Sequence, residues 1–359
     1  MKRIAEFPQY VAQLPDVQRA LFERIFRLDV AQGELVVPSS MEGWVESSFG
    51  SVGAVRHQHI VKLTNLITVE GTLFNPLRAE RPIDFASQDG VREAIEATRG
   101  GPFCHAEELT PEDVFGRIRG KHCLTASNVA KYDGFHGLVI FDEHNPLAIT
   151  NERVHDYVDT ALRWARRAHN VDASAKYFFL VWNCLWKGGS SIVHGHMQTA
   201  LGKGMHYARV EHWRRQAIQK RLAHGANYFE DLYRVHEALG LAGRIGRTRV
   251  LASLTPVKEK ELLLISPTRW IDDEDFREAI SKVLNAYLHR LGVRSFNLAL
   301  FQRPIDTAEE DWEGFPAMVR IVDRGEPQVR TTDVGCMELY GSSVVSSDPY
   351  HVIDAMGLS

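Results

Sequence analysis

The sequence predicts an α+β fold of two lobes, each an antiparallel sheet with helices packed against it. Two observations carry that expectation. The order strand–helix–strand–strand occurs twice, at roughly 137–201 and 262–322, as a tandem duplicated unit would give, although residue identity is not repeated. Each occurrence also centres on one long amphipathic helix between short apolar runs of strand length. At 359 residues, 44% of them hydrophobic and 25% charged, the chain is long enough for two cores or one large one.

Along the chain, Val17 to Leu28 has apolar residues at helical spacing, and the Gly/Ser-rich strip Ser39 to Gly53 reads as a loop. Residues 59–74 alternate apolar and polar, predicting a strand or hairpin. Gly100-Gly101-Pro102 is a break. Leu138 to Phe141 is a short strand closed by Asn145-Pro146. Asn151 to His169 is a helix, with Val154, Tyr157, Val158, Ala161, Leu162 and Ala165 on one stripe and Thr150 or Asn151 as N-cap. Tyr177 to Trp182 is a buried strand, and the turn 188–191 leads into another, Ile192 to Leu201. Residues 206–245 read as helical and charged. The second unit follows: strand Leu262 to Ile265, helix Glu274 to Leu291, and strands Phe296 to Phe301 and Met318 to Val322.

Composition excludes several function classes. Net charge is −4, so no chain-wide basic footprint exists for nucleic acid or an anionic membrane. Four scattered cysteines make no disulfide framework. Glu6, Pro8 and Gln9 interrupt any apolar leader. The longest apolar stretch, Tyr177 to Trp186, contains Asn183 and falls well short of the ~20 residues a bilayer requires. A reducing cytoplasm is the expected setting. Sixteen histidines are the unusual count, and their spacing matters more than their number.

The informative segment is Asn183 to Gln198, NCLWKGGSSIVHGHMQ. On a strand, His194, His196 and Gln198 share one face. Gly188-Gly189-Ser190-Ser191 just upstream can offer backbone N–H groups and hydroxyls to an anion. A neutral imidazole attacks phosphorus well and leaves it well, so a nucleotidyl-histidine intermediate suits this pattern. It requires an acceptor for the other ring N–H, for instance a backbone carbonyl in the His194–Gly195 stretch.

This segment resembles the active-site motif of the galactose-1-phosphate uridylyltransferase branch of the histidine-triad superfamily, which also holds diadenosine tetraphosphate phosphorylases. The resemblance extends to FNPLRAERP (74–82), GFHGLVIFDEHNPLAI (134–149) and, more loosely, LASLTPVKEKELLLISP (251–267). It implies two histidine-triad-like lobes: residues 1–215, an N-terminal extension plus the catalytic lobe, and 216–359, a lobe without the His-x-His motif. It implies His196 as nucleophile, Gln198 on a non-bridging phosphate oxygen, and Asn183 and Ser191 on phosphate or sugar. Histidine-triad hydrolases have a third His where this chain has Gln198. Gln donates a hydrogen bond but shuttles no proton, which fits transfer to an acceptor rather than to water.

Further candidates for binding are Gly189 and Ser190 in the loop, Lys187 for a β-phosphate, and Arg78 and Arg81 for bidentate phosphate contacts. His136 and Asp133 sit at a turn before the central strand, and Lys258, Lys260 and Glu338 lie in the second half. The resemblance also implies a structural zinc, here with Cys104, His144 and His194 as ligands and Cys123 or His105 as a fourth. The family's first cysteine is replaced by Gly101, and its second metal site falls on Met318-Val319-Arg320. No cofactor is needed for the chemistry itself. The implied partners are a nucleotide donor, either an NDP-sugar or a dinucleoside polyphosphate, and a phosphate or sugar-1-phosphate acceptor. A homodimer is implied too. Met197 after the second His shifts the choice of donor towards the phosphorylase side.

Overall fold

Strand alternation decides which groups this protein can bring together. The computed structural model describes residues 2–80, 90–268, 270–329, 332 and 334–358. Its strands, in chain order, are β1 (Phe26–Glu34), β2 (His57–Asn65), β3 (Gly71–Phe74), β4 (Cys123–Ser127), β5 (Phe135–Phe141), β6 (Ala175–Asn183), β7 (His196–Lys203), β8 (Ala242–Ile245), β9 (Thr248–Ala252), β10 (Leu262–Ile265), β11 (Phe296–Phe301), β12 (Met318–Asp323) and β13 (Ser343–Val345). They form two sheets. One is small, in the order β1-β2-β3-β13. The other is continuous and antiparallel throughout, in the order β4-β5-β7-β6-β11-β12-β10-β9-β8. The two repeated units supply its two halves, which join where β6 pairs with β11.

The helices used below are α1 (Asp16–Ile25), α2 (Ser39–Phe49), α3 (Asn151–Val171), α4 (Ala208–His224), α5 (Tyr228–Leu239), α6 (Glu274–His289) and α7 (Cys336–Tyr340). The Thr150 hydroxyl caps α3 by accepting from the Arg153 N–H, and the Asp273 carboxylate caps α6 through the Phe276 N–H. Such caps satisfy first-turn donors that have no partner within the helix. Helices α3 and α6 pack on each other and lay their apolar stripes against the large sheet. There Phe178, Leu180, Trp182, Met197, Leu201, Val139 and Phe141 join α3 in the main core, with the Phe141 ring stacked on Tyr157 at 3.7 Å. The alternate residues, His196, Gln198, Asn183 and Asn297 among them, are left on the opposite face.

Three local expectations change. Ser39 to Phe49 is helical rather than a loop, because Val45 in α2 packs on Val37 and Val55. The first helix ends at Ile25, since the chain then enters β1 and pairs with β2 over nine residues. The motif strand begins at His196, not Ile192. Before it, the chain follows the end of β5, with Gly195 N–H on the His144 carbonyl and Phe141 N–H on the Gly195 carbonyl. Helix α4 runs unbroken through residue 215. Among the described residues no helix is long and apolar enough to cross a membrane.

Candidate active site

His196 is buried at the start of β7. Its Nδ1–H donates to the His194 carbonyl at 2.8 Å. A carbonyl only accepts, so this bond fixes the tautomer and leaves Nε2 with its lone pair. Burial disfavours the imidazolium and draws the His196 pKa down to about 4, with the bond to the His194 carbonyl opposing. The ring is therefore neutral at physiological pH, as a nucleophile towards phosphorus must be. Gly195 permits the approach: a Cβ there would lie 2.5 Å from the Phe141 ring.

Gln198 lies on the same face, two residues along, and its Oε1 is 3.0 Å from His136 Nε2. The Tyr132 N–H points at His136 Nδ1 (3.3 Å), which places the His136 proton on Nε2, where it donates to Gln198. The Gln198 carbonyl oxygen is thus taken, and its two amide N–H groups are the ones left to meet an anion. Burial lowers the His136 pKa and favours that neutral, donating form; the Lys131 charge acts the same way, and the Gln198 bond opposes. The sequence put His136 at a turn before the central strand; the structure puts it on β5, against Gln198.

The loop before β7 is held from the other half of the sheet. Asn297 on β11 donates to Asn183 Oδ1 at 2.7 Å and to the Gly188 carbonyl at 2.6 Å, while Arg324 donates to Asn297 Oδ1. Asn297 and Arg324 are the residues that sequence reasoning missed. The available signal was a single amide in the otherwise apolar run FNLALF. Leu185 opens the loop at φ +61°, ψ 173°, a conformation that costs an L-residue of order 1–3 kcal/mol and that its fully buried side chain holds in place. Gly189 follows at φ +89°. The Ser190 hydroxyl donates inward to the Ile192 carbonyl, whereas Ser191 is exposed.

Other candidates stand elsewhere. The Lys187 ammonium donates to the Val329 carbonyl and Trp186 Nε1–H to that of Pro327, so both tie the loop to the segment after β12. Arg78 sits on the turn after β3, beside the small sheet, and Arg81 lies outside the described residues. Lys260 pairs with Asp323. Lys258 and Glu338 line a cavity of about 510 Å³ over β11 and β12, which Asn297 and Arg324 also line. Met197 points to the helical side and is buried in the main core, on the face away from His196 and Gln198.

Cys104, His144 and His194 converge. Cys104 Sγ is 3.3 Å from each of the two Nδ1 atoms, which are 3.1 Å apart. His194 Nε2–H donates to the Phe141 carbonyl (2.7 Å) and His144 Nε2–H to that of Ile95 (2.8 Å). Both Nδ1 atoms are consequently lone-pair acceptors facing each other, and one thiol proton cannot serve two. A cation resolves the conflict. The separations approach the edges, about 3.3–3.6 Å, of a tetrahedron around zinc, and the outer carbonyls are the usual partners of metal-bound histidine. These donors therefore fit a zinc ion. Cys123 does not join them: it lies on β4, its thiol donating to Asp156 and pushed up in pKa by burial. His105 is exposed and also outside the group.

The chain thus forms an α+β fold built on one antiparallel sheet in two halves, with a His-x-Gln strand beside a Gly/Ser loop in the first. No protein-family model and no curated protein matches the chain. Among solved structures it is similar to an ADP-glucose phosphorylase from Arabidopsis thaliana with bound ADP-glucose, at 17% identity and a TM-score of 0.61, covering 81% of this chain and 95% of that one. A galactose-1-phosphate uridylyltransferase-like protein from the same plant gives 17% and 0.57 over 73% and 93%. A uridylyltransferase gives 14% and 0.57 over 83% and 97%. The fold is thus the one that the motif's resemblance implied.

Proposed function

We propose that this protein is a nucleotidyltransferase that works through a nucleotidyl group on His196. The observation that carries the reading is the state of that ring: neutral, with Nδ1–H committed to the His194 carbonyl and Nε2 unprotonated. The Nε2 lone pair attacks the α-phosphorus of a nucleoside diphosphate-linked donor. The N–P bond forms as the bridging P–O bond breaks, and the electron pair leaves with sugar-1-phosphate or a nucleotide. A phosphate oxygen of the acceptor then attacks the same phosphorus and the imidazole departs neutral, giving ping-pong kinetics. Gln198, its amide turned by His136, donates to a non-bridging oxygen, and Asn183 and Ser191 contact phosphate or sugar. Zinc, when bound by Cys104, His144 and His194, would supply a fixed cationic crosslink that holds the His194 carbonyl against His196.

The favoured donor is a sugar nucleotide, with a sugar-1-phosphate or orthophosphate as acceptor; similarity to a protein that carries bound ADP-glucose supports it. A dinucleoside polyphosphate is the second reading, from the motif alone. The test is intact mass after incubation with ADP-glucose, UDP-glucose or diadenosine tetraphosphate. An acid-labile adduct is expected whose mass names the nucleotide. Absence of an adduct with all three, or an adduct that survives His196→Ala, overturns the assignment.

A further inference from the structure

Position 101 is where a two-residue spacing would put a second cysteine ahead of Cys104. The backbone is already wound for one: Cys104 N–H bonds to the Gly101 carbonyl at 2.9 Å, and Gly100 N–H points at Cys104 Sγ at 3.4 Å. Backbone N–H groups turned towards a sulfur are how such a turn steadies a metal-bound thiolate. Yet residue 101 is glycine. Its φ of −69° and ψ of 177° suit any residue, and a Cβ there would meet only the Thr98 carbonyl, at 3.3 Å. That contact asks the Thr98 carbonyl to give by only a few tenths of an ångström, so no backbone conformation or outright clash demands glycine here. Among the described residues no fourth His, Cys, Asp or Glu joins the trio. Instead the three donors line an open cleft of about 610 Å³, shared with Arg99, Arg119 and His105.

We infer that the metal bound by Cys104, His144 and His194 has an exchangeable fourth position opening on this cleft, which takes a small anion or a thiolate from solution. This rests on the reading of the trio as a metal site. A closed four-ligand zinc is structural, whereas three protein ligands leave a corner for a small ligand. Arg119 is paired with Asp142 and Arg99 with Glu96, and Glu107 and Glu108 also line the cleft, so it is the bound cation's own charge that would draw an anion or thiolate to this corner. His194 links this corner to the active site, since its ring is a ligand and its carbonyl holds His196 Nδ1–H.

The test uses the full chain loaded with Co²⁺ in place of zinc, read by visible absorption. One equivalent is expected to bind, with bands that azide and 2-mercaptoethanol each shift saturably. In Gly101→Cys a second thiolate-to-cobalt band should appear, the response to azide should vanish, and zinc should bind roughly tenfold or more tighter. Stoichiometric cobalt whose bands ignore both azide and thiol overturns the open position while sparing the metal site. Failure of wild-type protein to bind cobalt, or binding that survives Cys104→Ser, overturns the metal site itself, and the inference with it. If Gly101→Cys does not fold, the wild-type titration decides alone.

Discussion

Strands β7 and β12 hold equivalent places in the two halves of one sheet and carry opposite chemistry. Gln198 sits opposite Val181, Arg320 sits opposite Ala299, and Val181 and Ala299 face each other across the β6–β11 seam. Two residues before Gln198 is His196; two residues before Arg320 is Met318. On β7 the polar groups are neutral and keep unsatisfied donors or lone pairs on the face away from the helices. On β12 the Arg320 guanidinium is closed off. It pairs with buried Glu261 at 2.6 Å and with Glu70 at 2.7 Å, and it lies over the Trp213 ring at 4.8 Å. Where one half leaves its hydrogen-bonding capacity for a ligand, the other spends its charge on holding the second half to the small sheet through Glu70. On the function proposed above, the same fold position serves chemistry in one half and cohesion in the other.

That contrast predicts a crossed pattern of mutant effects. His196→Ala should abolish the adduct and lower kcat by about 10⁴-fold or more, with the thermal midpoint nearly unchanged. Glu261→Ala leaves a buried guanidinium short of its partner, and should cost about 3–5 kcal/mol in denaturant unfolding. What remains folded should still form the adduct. If Glu261→Ala leaves stability intact but removes the adduct, the division between halves is wrong.

Acid should act through the second half as well. His236, on α5, is fully buried; its Nδ1–H donates to the Leu232 carbonyl and its Nε2 accepts from the Leu254 N–H. Burial takes its pKa to about 4, with the Leu232 bond opposing. The unfolded chain, near 6.5, binds more protons between these values, so the stabilisation is complete above about pH 6.5 and is lost as pH falls towards 4. The slope should approach about 1.4 kcal/mol per pH unit from this group. Urea midpoints against pH, compared with His236→Gln, measure it; parallel curves would remove His236 as the cause.

His136 is the next smaller effect. With His136→Ala the Gln198 amide loses the partner that fixes its orientation, so kcat should fall about 10–100-fold while KM and the thermal midpoint move little. A variant that restores a donor, His136→Gln, should recover part of the loss. Equal losses in both, alongside lowered stability, would reduce His136 to packing.

Much of this contrast was visible in the sequence, for physical reasons. The helices at 151 and 274 have strong apolar stripes and clear caps, and both start where expected. The alternation that puts His196 and Gln198 on one face holds for any strand. Less visible was whatever depends on distant partners. Strand β1, FRLDVAQGE, is weak alone and exists because β2 pairs with it thirty residues on. Helix α2 is rich in Ser and Gly and is fixed by a three-valine cluster. The trio Cys104, His144 and His194 spans ninety residues and came only from resemblance. The two polar contacts that finish the site, His136 on Gln198 and Asn297 on Asn183, join strands far apart in sequence and left no local pattern.

The smallest expected effect probes the seam itself. Among the described residues, Asn297 is the one side chain of the second half that bonds both Asn183 and the loop carbonyl of Gly188. Removing it in Asn297→Ala frees Asn183 to rotate and unties the loop, but leaves His196 and Gln198 in place. One lost hydrogen bond of this kind is worth about 1 kcal/mol, so kcat/KM should fall roughly fivefold to tenfold. The loss should sit mainly in KM, because Asn183 and the loop contact the donor in the ground state as well as in the transition state. A full-sized drop in kcat with KM unchanged would mean that the second half reaches into the transition state, and the separation between the two strands would then be one of degree.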